Sequence, residues 1–176
     1  YSGKYDGTSH AGGATPSVTE GTTIQYSLDG ETWSTSVPSI KDVGTVNYTV
    51  KATNPNYEDA TDAGELKVTP KEVTITVADD EKVYGNPDPE FADAEISEYI
   101  GTELEAIDLT VSRTNTDEDV NVYEDVLTIG QTAEQLGTAY PNYKFTVEAG
   151  DFEITKATMT VEAVDYSGAY DGAVHN

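Results

Sequence analysis

Ten residues at the front of this chain return almost unchanged near its end. Tyr1-Ser2-Gly3-Lys4-Tyr5-Asp6-Gly7-Thr8-Ser9-His10 reappears as Tyr166-Ser167-Gly168-Ala169-Tyr170-Asp171-Gly172-Ala173-Val174-His175, with seven of ten positions identical and a spacing of 165 residues. Repetition at a fixed spacing calls for units arranged in series. A shorter repeat lies inside the first. Pro55-Asn56-Tyr57 precedes Gly64-Glu65-Leu66-Lys67-Val68-Thr69-Pro70-Lys71, and Pro141-Asn142-Tyr143 precedes Gly150-Asp151-Phe152-Glu153-Ile154-Thr155-Lys156. After each junction Lys comes a similar segment, Glu72–Ala78 or Ala157–Ala163, and then a tight turn at Tyr84-Gly85-Asn86 or Tyr170-Asp171-Gly172. The expected organisation is one unit over 1–70, a second over 71–155, and the first strand and turn of a further unit over 156–176. One Pro or Lys separates consecutive units, which leaves little room for a hinge. Duplication within a single sheet is the alternative.

Alternation sets the expected fold. Val73, Ile75 and Val77 alternate with Thr74 and Thr76, and Met159, Val161 and Ala163 alternate with Thr160 and Glu162. Such period-two patterns mark half-buried strands. Further strands are expected at Thr23–Leu28, Val46–Thr53, Glu65–Thr69, Leu109–Arg113, Val122–Ile129, Tyr143–Glu148 and Asp151–Thr155. Asp29-Gly30 lies between alternating segments and signals a hairpin, because both residues tolerate positive φ. Only Thr102–Ile107 and Thr132–Leu136 suggest a helical turn, and neither is long enough to stand alone. The class is therefore all-β: two small sandwich units in tandem, the first Ig-like. The second is open to a grasp-like form with Thr102–Ile107 as a short helix over the sheet.

Composition narrows the functions. With 9 basic and 33 acidic residues, the net charge of −24 repels phosphate backbones and anionic lipid heads, which argues against nucleic-acid partners and membrane association. No apolar run is long enough for a membrane span. The chain has no Cys, so disulfides, thiol chemistry and zinc ribbons are excluded. Two His and one Arg give acid–base catalysis little to work with, and His10 and His175 share one repeat position. No Gly-x-Ser-x-Gly elbow or His-Glu-x-x-His helix is present. No enzymatic activity is expected. Disorder is set aside because twelve Tyr and many Val, Ile and Thr recur at strand spacing.

Tyr5-Asp6-Gly7 and Tyr170-Asp171-Gly172 resemble the signature of the YDG repeats. Residues 71–156, with Tyr84-Gly85-Asn86-Pro87-Asp88-Pro89-Glu90-Phe91 and the closing Gly150–Lys156 strand, are similar to an MBG domain of the YGX type. Tyr26–Ser34, Asp42-Val43-Gly44-Thr45 and Asn54-Pro55-Asn56-Tyr57 resemble the bacterial Ig-like repeats that accompany them. The resemblance implies a tandem-repeat segment of a large bacterial cell-surface adhesin, extracellular and without a defined ligand site. One departure is Asp119-Val120-Asn121-Val122-Tyr123, which lacks the Gly common at that turn; a reshaped turn is expected there.

Candidate sites are few. Asp79, Asp80, Asp117 and Asp119 place hard oxygens near turns, as calcium prefers, although no EF-hand loop is present. The competing reading is a solvated acidic surface, and no cofactor is required. Trp33 and Tyr26 flank the Asp29-Gly30 turn and could stack on sugar rings; equally, Trp33 could pack on its own core. A Lys71 or Lys82 isopeptide bond to Asn142 lacks any supporting motif. Two functions from different classes follow: a stalk segment that projects a distal binding region, or a segment that itself binds host mucin glycans or another surface polymer. Its expected partners are neighbouring repeats and, in the second case, glycans. The chain opens at Tyr1, without a counterpart of the Val73–Val77 strand, while Thr158–Ala163 is a spare strand at the far end. Head-to-tail self-association through 158–163 is therefore expected.

Overall fold

The computed structural model describes residues 1–165, 167–170 and 172–174. Strands take up 42% of the chain and helix 4%, so the protein is all-β, as its alternation required. Strand pairing divides at Pro70. Before it lie β1 (Ser2–Lys4), β2 (His10–Ala11), β3 (Thr23–Ser27), β4 (Ser39–Ile40), β5 (Gly44–Asn54) and β6 (Tyr57–Thr69). They form a four-stranded sheet of order β1-β6-β5-β3 and a small β2-β4 ladder. After it come β7 (Lys71–Thr76), β8 (Asp80–Val83), β9 (Glu95–Ile96), β10 (Val111–Arg113), β11 (Asn121–Ile129), α1 (Ala133–Ala139), β12 (Tyr143–Glu148) and β13 (Gly150–Thr155). These build the sheets β12-β7-β9 and β10-β11-β13-β8. No ladder crosses from one group to the other among the described residues.

The first unit is organised by the β5–β6 hairpin, paired from Gly44↔Val68 to Asn54↔Tyr57. β6 is far longer than the expected Glu65–Thr69. Its first half, Tyr57-Glu58-Asp59-Ala60-Thr61-Asp62-Ala63, carries no β-branched aliphatic residue, and its conformation comes from pairing with β5. Tyr48 on β5 lies across β6 at Gly64, where a Cβ would sit 2.2 Å from the Tyr48 ring. The missing side chain lets that ring reach Tyr26, edge-on at 5.9 Å. Leu66, Val68, Ile40 and Tyr5 complete the buried set. The Asp29-Gly30 turn is wider than a two-residue hairpin. Asp29 Oδ1 accepts from Ser27 Oγ and from the amides of Glu31 and Thr32, and the loop over 27–33 closes at the Tyr26↔Ser34 bridge.

In the second unit the first and last long stretches run side by side in parallel. Lys71–Thr76 pairs with Tyr143–Glu148, and Asp80–Val83 pairs with Phe152–Thr155. Each stretch passes from one sheet to the other, and the buried faces of both sheets share a core of Val73, Ile75, Leu127, Phe145, Phe152 and Ile154. The adjacent parallel opening and closing strands are the grasp-like feature left open by the sequence. The helix over the sheet is α1, however, and not Thr102–Ile107, which forms a series of hydrogen-bonded turns. Thr132 caps α1: its hydroxyl accepts from the Gln135 amide, and the Gln135 side chain accepts from the Thr132 amide. Leu136 then fills the core.

The expected strand at Thr158–Ala163 does not form in the single chain. Met159 is 93% and Val161 94% exposed, with no strand assigned there. A lone extended segment has no ladder to hold it. Tyr166, Asp171, His175 and Asn176 lie outside the described residues, so the second copy of the ten-residue motif is seen only in part.

Candidate functional site

The feature with the most built chemistry is the junction between the units. β6 ends at Thr69 and β7 starts at Lys71, leaving Pro70 alone between them. Proline fixes φ and offers no N–H, so the backbone passes between units with little torsional freedom. Side chains close around this crossing. Tyr5, in the first Tyr-Asp-Gly turn, and Tyr143, in the second Pro-Asn-Tyr motif, are each 4% exposed and meet edge-on at 5.6 Å. Both hydroxyls donate to one carboxylate: Tyr5 to Glu103 Oε1 at 2.8 Å, Tyr143 to Glu103 Oε2 at 2.6 Å. The Ile100 amide donates to the Tyr143 hydroxyl at 3.2 Å. Burial, followed by the Glu103 hydrogen bond, pushes each phenol up to about 12, so both stay neutral donors at physiological pH.

A second clamp sits beside the first. Asn142 Oδ1 accepts from the Val43 amide at 2.8 Å, and its Nδ2 donates to Asp42 Oδ1 at 3.0 Å. The Asn142 carbonyl accepts from the Lys71 amide at 3.0 Å. One Asn therefore holds the loop before β5, the start of β7 and the turn before β12. Gly7 completes the fit: its φ is +74°, and a Cβ there would lie 2.7 Å from Ile100 Cγ2. The exposed Lys4–Glu72 ion pair at 2.9 Å adds little in water.

The residues singled out from the sequence fall elsewhere. Trp33 is half-buried, with Lys51 Nζ 4.6 Å above its ring. Tyr26 is not a surface aromatic: it packs on Tyr48 in the core and shows only a sliver to a shallow cleft formed with Leu28, Thr32, Val37 and Pro38. Asp79 Oδ1 accepts from the Asp151 amide, and Asp80 Oδ1 from the Glu81 amide. Asp117 Oδ2 accepts from Asn115, and the Asp119 carbonyl from the Tyr123 hydroxyl. Among the described residues no three His, Asp or Glu side chains are arranged to hold a metal ion.

Two further polar clusters are structural in geometry. At His10, the Asp6 carboxylate, the Thr8 hydroxyl and the Tyr1 hydroxyl all meet the same ring nitrogen, Nε2. A relay needs one partner on each nitrogen, so this arrangement passes no proton between them. In the second unit Lys82 and Arg113 lie over the Phe152 ring and pair with both Asp88 and Glu118. Hydrogen bonds donated to Asp88 and Glu118 raise the Lys82 pKa, so its amine is held as an ammonium and is no nucleophile. Asn142, engaged at the junction, is no partner for it.

Glu103 carried no sequence signal beyond its place in a turn-forming acidic stretch. Tyr5 and Tyr143 did carry one, since each belongs to a recurring motif, but the sequence did not say that the two motifs meet. Residues 73–153 match the MBG domain of the YGX type, which spans the second unit from β7 into β13. Neither a curated protein nor a solved structure matches the chain.

Proposed function

We propose that the chain is a non-enzymatic spacer segment of a bacterial cell-surface adhesin, in which rigidly coupled β-units hold a distal binding region away from the cell. The observation that carries this reading is the junction, where a single Pro, the Glu103 clamp on two buried tyrosines and the Asn142 bridge fix one unit against the next. The match of the second unit to the MBG domain is compatible with a repeat segment of a surface protein. The acidic surface suits an extracellular, solvated stalk. Direct binding of mucin glycans has weaker support, because Lys51 already occupies one face of Trp33 and Tyr26 lies in the core.

Residual dipolar couplings test the reading. Couplings from both units should fit a single alignment tensor, and solution scattering should fit one extended arrangement. Two independent tensors, or a scattering curve that demands a freely flexing pair, would remove the basis for a spacer. A glycan array supplies the complementary test: binding to one glycan class, lost in Trp33→Ala without loss of fold, would replace the spacer with a binding module.

A further inference from the structure

Two phenol rings from different units share one proton acceptor at the junction. Tyr5 follows β1 and Tyr143 opens β12, and their rings meet edge-on, with 5.6 Å between centroids and 77° between planes. The hydroxyls end on the two oxygens of one carboxylate, Glu103, at 2.8 and 2.6 Å. The oxygen-bearing corners of the rings therefore converge, and with them the ortho carbons beside each hydroxyl. Both rings are buried, whereas Glu103 is exposed.

This arrangement suits one-electron chemistry. A phenol that loses an electron becomes a strong acid and sheds its proton. A base already within hydrogen-bond reach takes that proton in place. The Glu103 carboxylate is such a base, and its exposure lets it pass the first proton to water before the second phenol is oxidised. Burial of the rings keeps other molecules from reaching either radical.

The rest of the chain supplies a control. Tyr26 and Tyr48 are also buried and meet edge-on, at 5.9 Å and 62°. The Tyr48 hydroxyl, however, donates to the Gly13 carbonyl at 3.3 Å, and a backbone carbonyl accepts a hydrogen bond but takes no proton. Tyr123 likewise donates to the Asp119 carbonyl. Tyr1 has a base in His10, but its ring stacks on that imidazole and not on a phenol. Among the described residues only Tyr5 and Tyr143 combine a phenol neighbour with a carboxylate acceptor.

We infer that Tyr5 and Tyr143 are the site of an oxidative crosslink between the two units, a carbon–carbon bond between their ortho carbons. The co-reactant is two equivalents of a one-electron oxidant. Each phenol gives one electron to the oxidant and its hydroxyl proton to Glu103, which releases it to water. The two phenoxyl radicals join at their ortho carbons. The hydrogen on each of those carbons then moves to the ring oxygen, which restores both phenols. In all, the chain loses two hydrogens and the oxidant takes up two electrons. The bond lies beside the Pro70 crossing, so it ties the units together even when the chain unfolds.

Photo-oxidation of the full chain with ruthenium tris-bipyridine and persulfate, in dilute solution, tests this. Dityrosine fluorescence should appear together with a mass loss of two hydrogens. Peptide mapping should find the Tyr5–Tyr143 pair several-fold more abundant than the Tyr26–Tyr48 pair. Tyr5→Phe and Tyr143→Phe should each abolish the junction link. Glu103→Gln keeps a hydrogen-bond acceptor but takes no proton. It should lower the yield several-fold while nuclear Overhauser contacts between the two rings persist. The comparison of the two pairs is made in the unaltered chain, so it decides the matter even where Glu103→Gln parts the rings. Absence of the Tyr5–Tyr143 link, equal yields from the two pairs, a link that forms only between molecules, or an undiminished link in Glu103→Gln would each overturn the inference. None of these outcomes bears on the alignment of the two units, which the dipolar couplings read in the unoxidised chain.

Discussion

In the second unit β12 lies against β7 over six paired residues, whereas the matching half of β6 pairs on one side only among the described residues. Burial differs as well. Of the twenty buried apolar residues among those described, fourteen belong to the second unit and six to the first; of the seven most deeply buried of these, only Leu66 belongs to the first. The units share a closing-strand motif and cover it differently. Beside β7, Tyr143 and Phe145 are buried, and α1 leads into β12. The first unit runs β5 directly into β6 as a hairpin and fills its interior with the Tyr48 ring laid over Gly64.

The largest effect expected is in the better-filled core. Phe152→Ala removes a fully buried ring that packs edge-on with Phe91 and lies beneath Lys82 and Arg113. It should cost the second unit about 3–5 kcal/mol in urea unfolding. Trp33, the only Trp, reports the first unit by fluorescence, while circular dichroism reports both. The dichroism midpoint should fall further than the Trp33 midpoint; equal shifts would show that the two units unfold as one body and would dissolve the comparison.

Next comes the coupling. Tyr143→Phe strips one of two hydrogen bonds to the Glu103 carboxylate and should cost about 1.5–3 kcal/mol, the range for a bond to a charged group. The fluorescence and dichroism transitions should also separate more widely. Gly64→Ala probes the first unit's filling: the added Cβ forces the Tyr48 ring away, at about 1–3 kcal/mol, and the Trp33-reported transition should show it.

Alkaline pH should act on the junction. Tyr5 and Tyr143 have folded pKa values of about 12, above the ordinary value near 10. Below pH ~10 both states keep these protons and the contribution is whole. Above it the unfolded chain releases protons that the folded chain retains, so stability falls as pH rises from ~10 through ~12. The double variant Tyr5→Phe, Tyr143→Phe should flatten that slope, as read from melting temperature against pH. The smallest effect is local. Thr132→Ala removes the cap of α1 and should cost about 1 kcal/mol in the second unit alone, with the Trp33 signal unmoved.

The class of fold and most strands could be read from the chain because they rest on local signals: alternating Val, Ile and Thr, and turn residues between them. What escaped rests on distant pairing. Tyr57–Gly64 has strand geometry without strand composition, since β5 supplies its conformation. Thr102–Ile107 looked as helical as Thr132–Leu136, but only the latter has the reciprocal Thr132–Gln135 cap to start a helix. Tyr26 sits beside the only Trp, yet Gly64, thirty-eight positions on, is what lets Tyr48 draw it inward. The junction was half visible. Its crossing and its two tyrosine motifs stand in the sequence, whereas Glu103 and the meeting of those motifs depend on how the second unit folds back.

The parallel run of the second unit's first and last long stretches bears on how it would respond to pulling. Tension applied through the backbone would draw Lys71 backward and Thr155 forward. Because 71–83 and 143–155 are neighbours pointing the same way, that tension slides one along the other. The six residue pairs of β7 with β12 and the four of β8 with β13 then resist in shear, all at once. A hairpin pulled from its open end yields one rung at a time. The barrier to forced unfolding, which is a kinetic quantity, is accordingly set in this unit by the whole set of rungs between the two stretches.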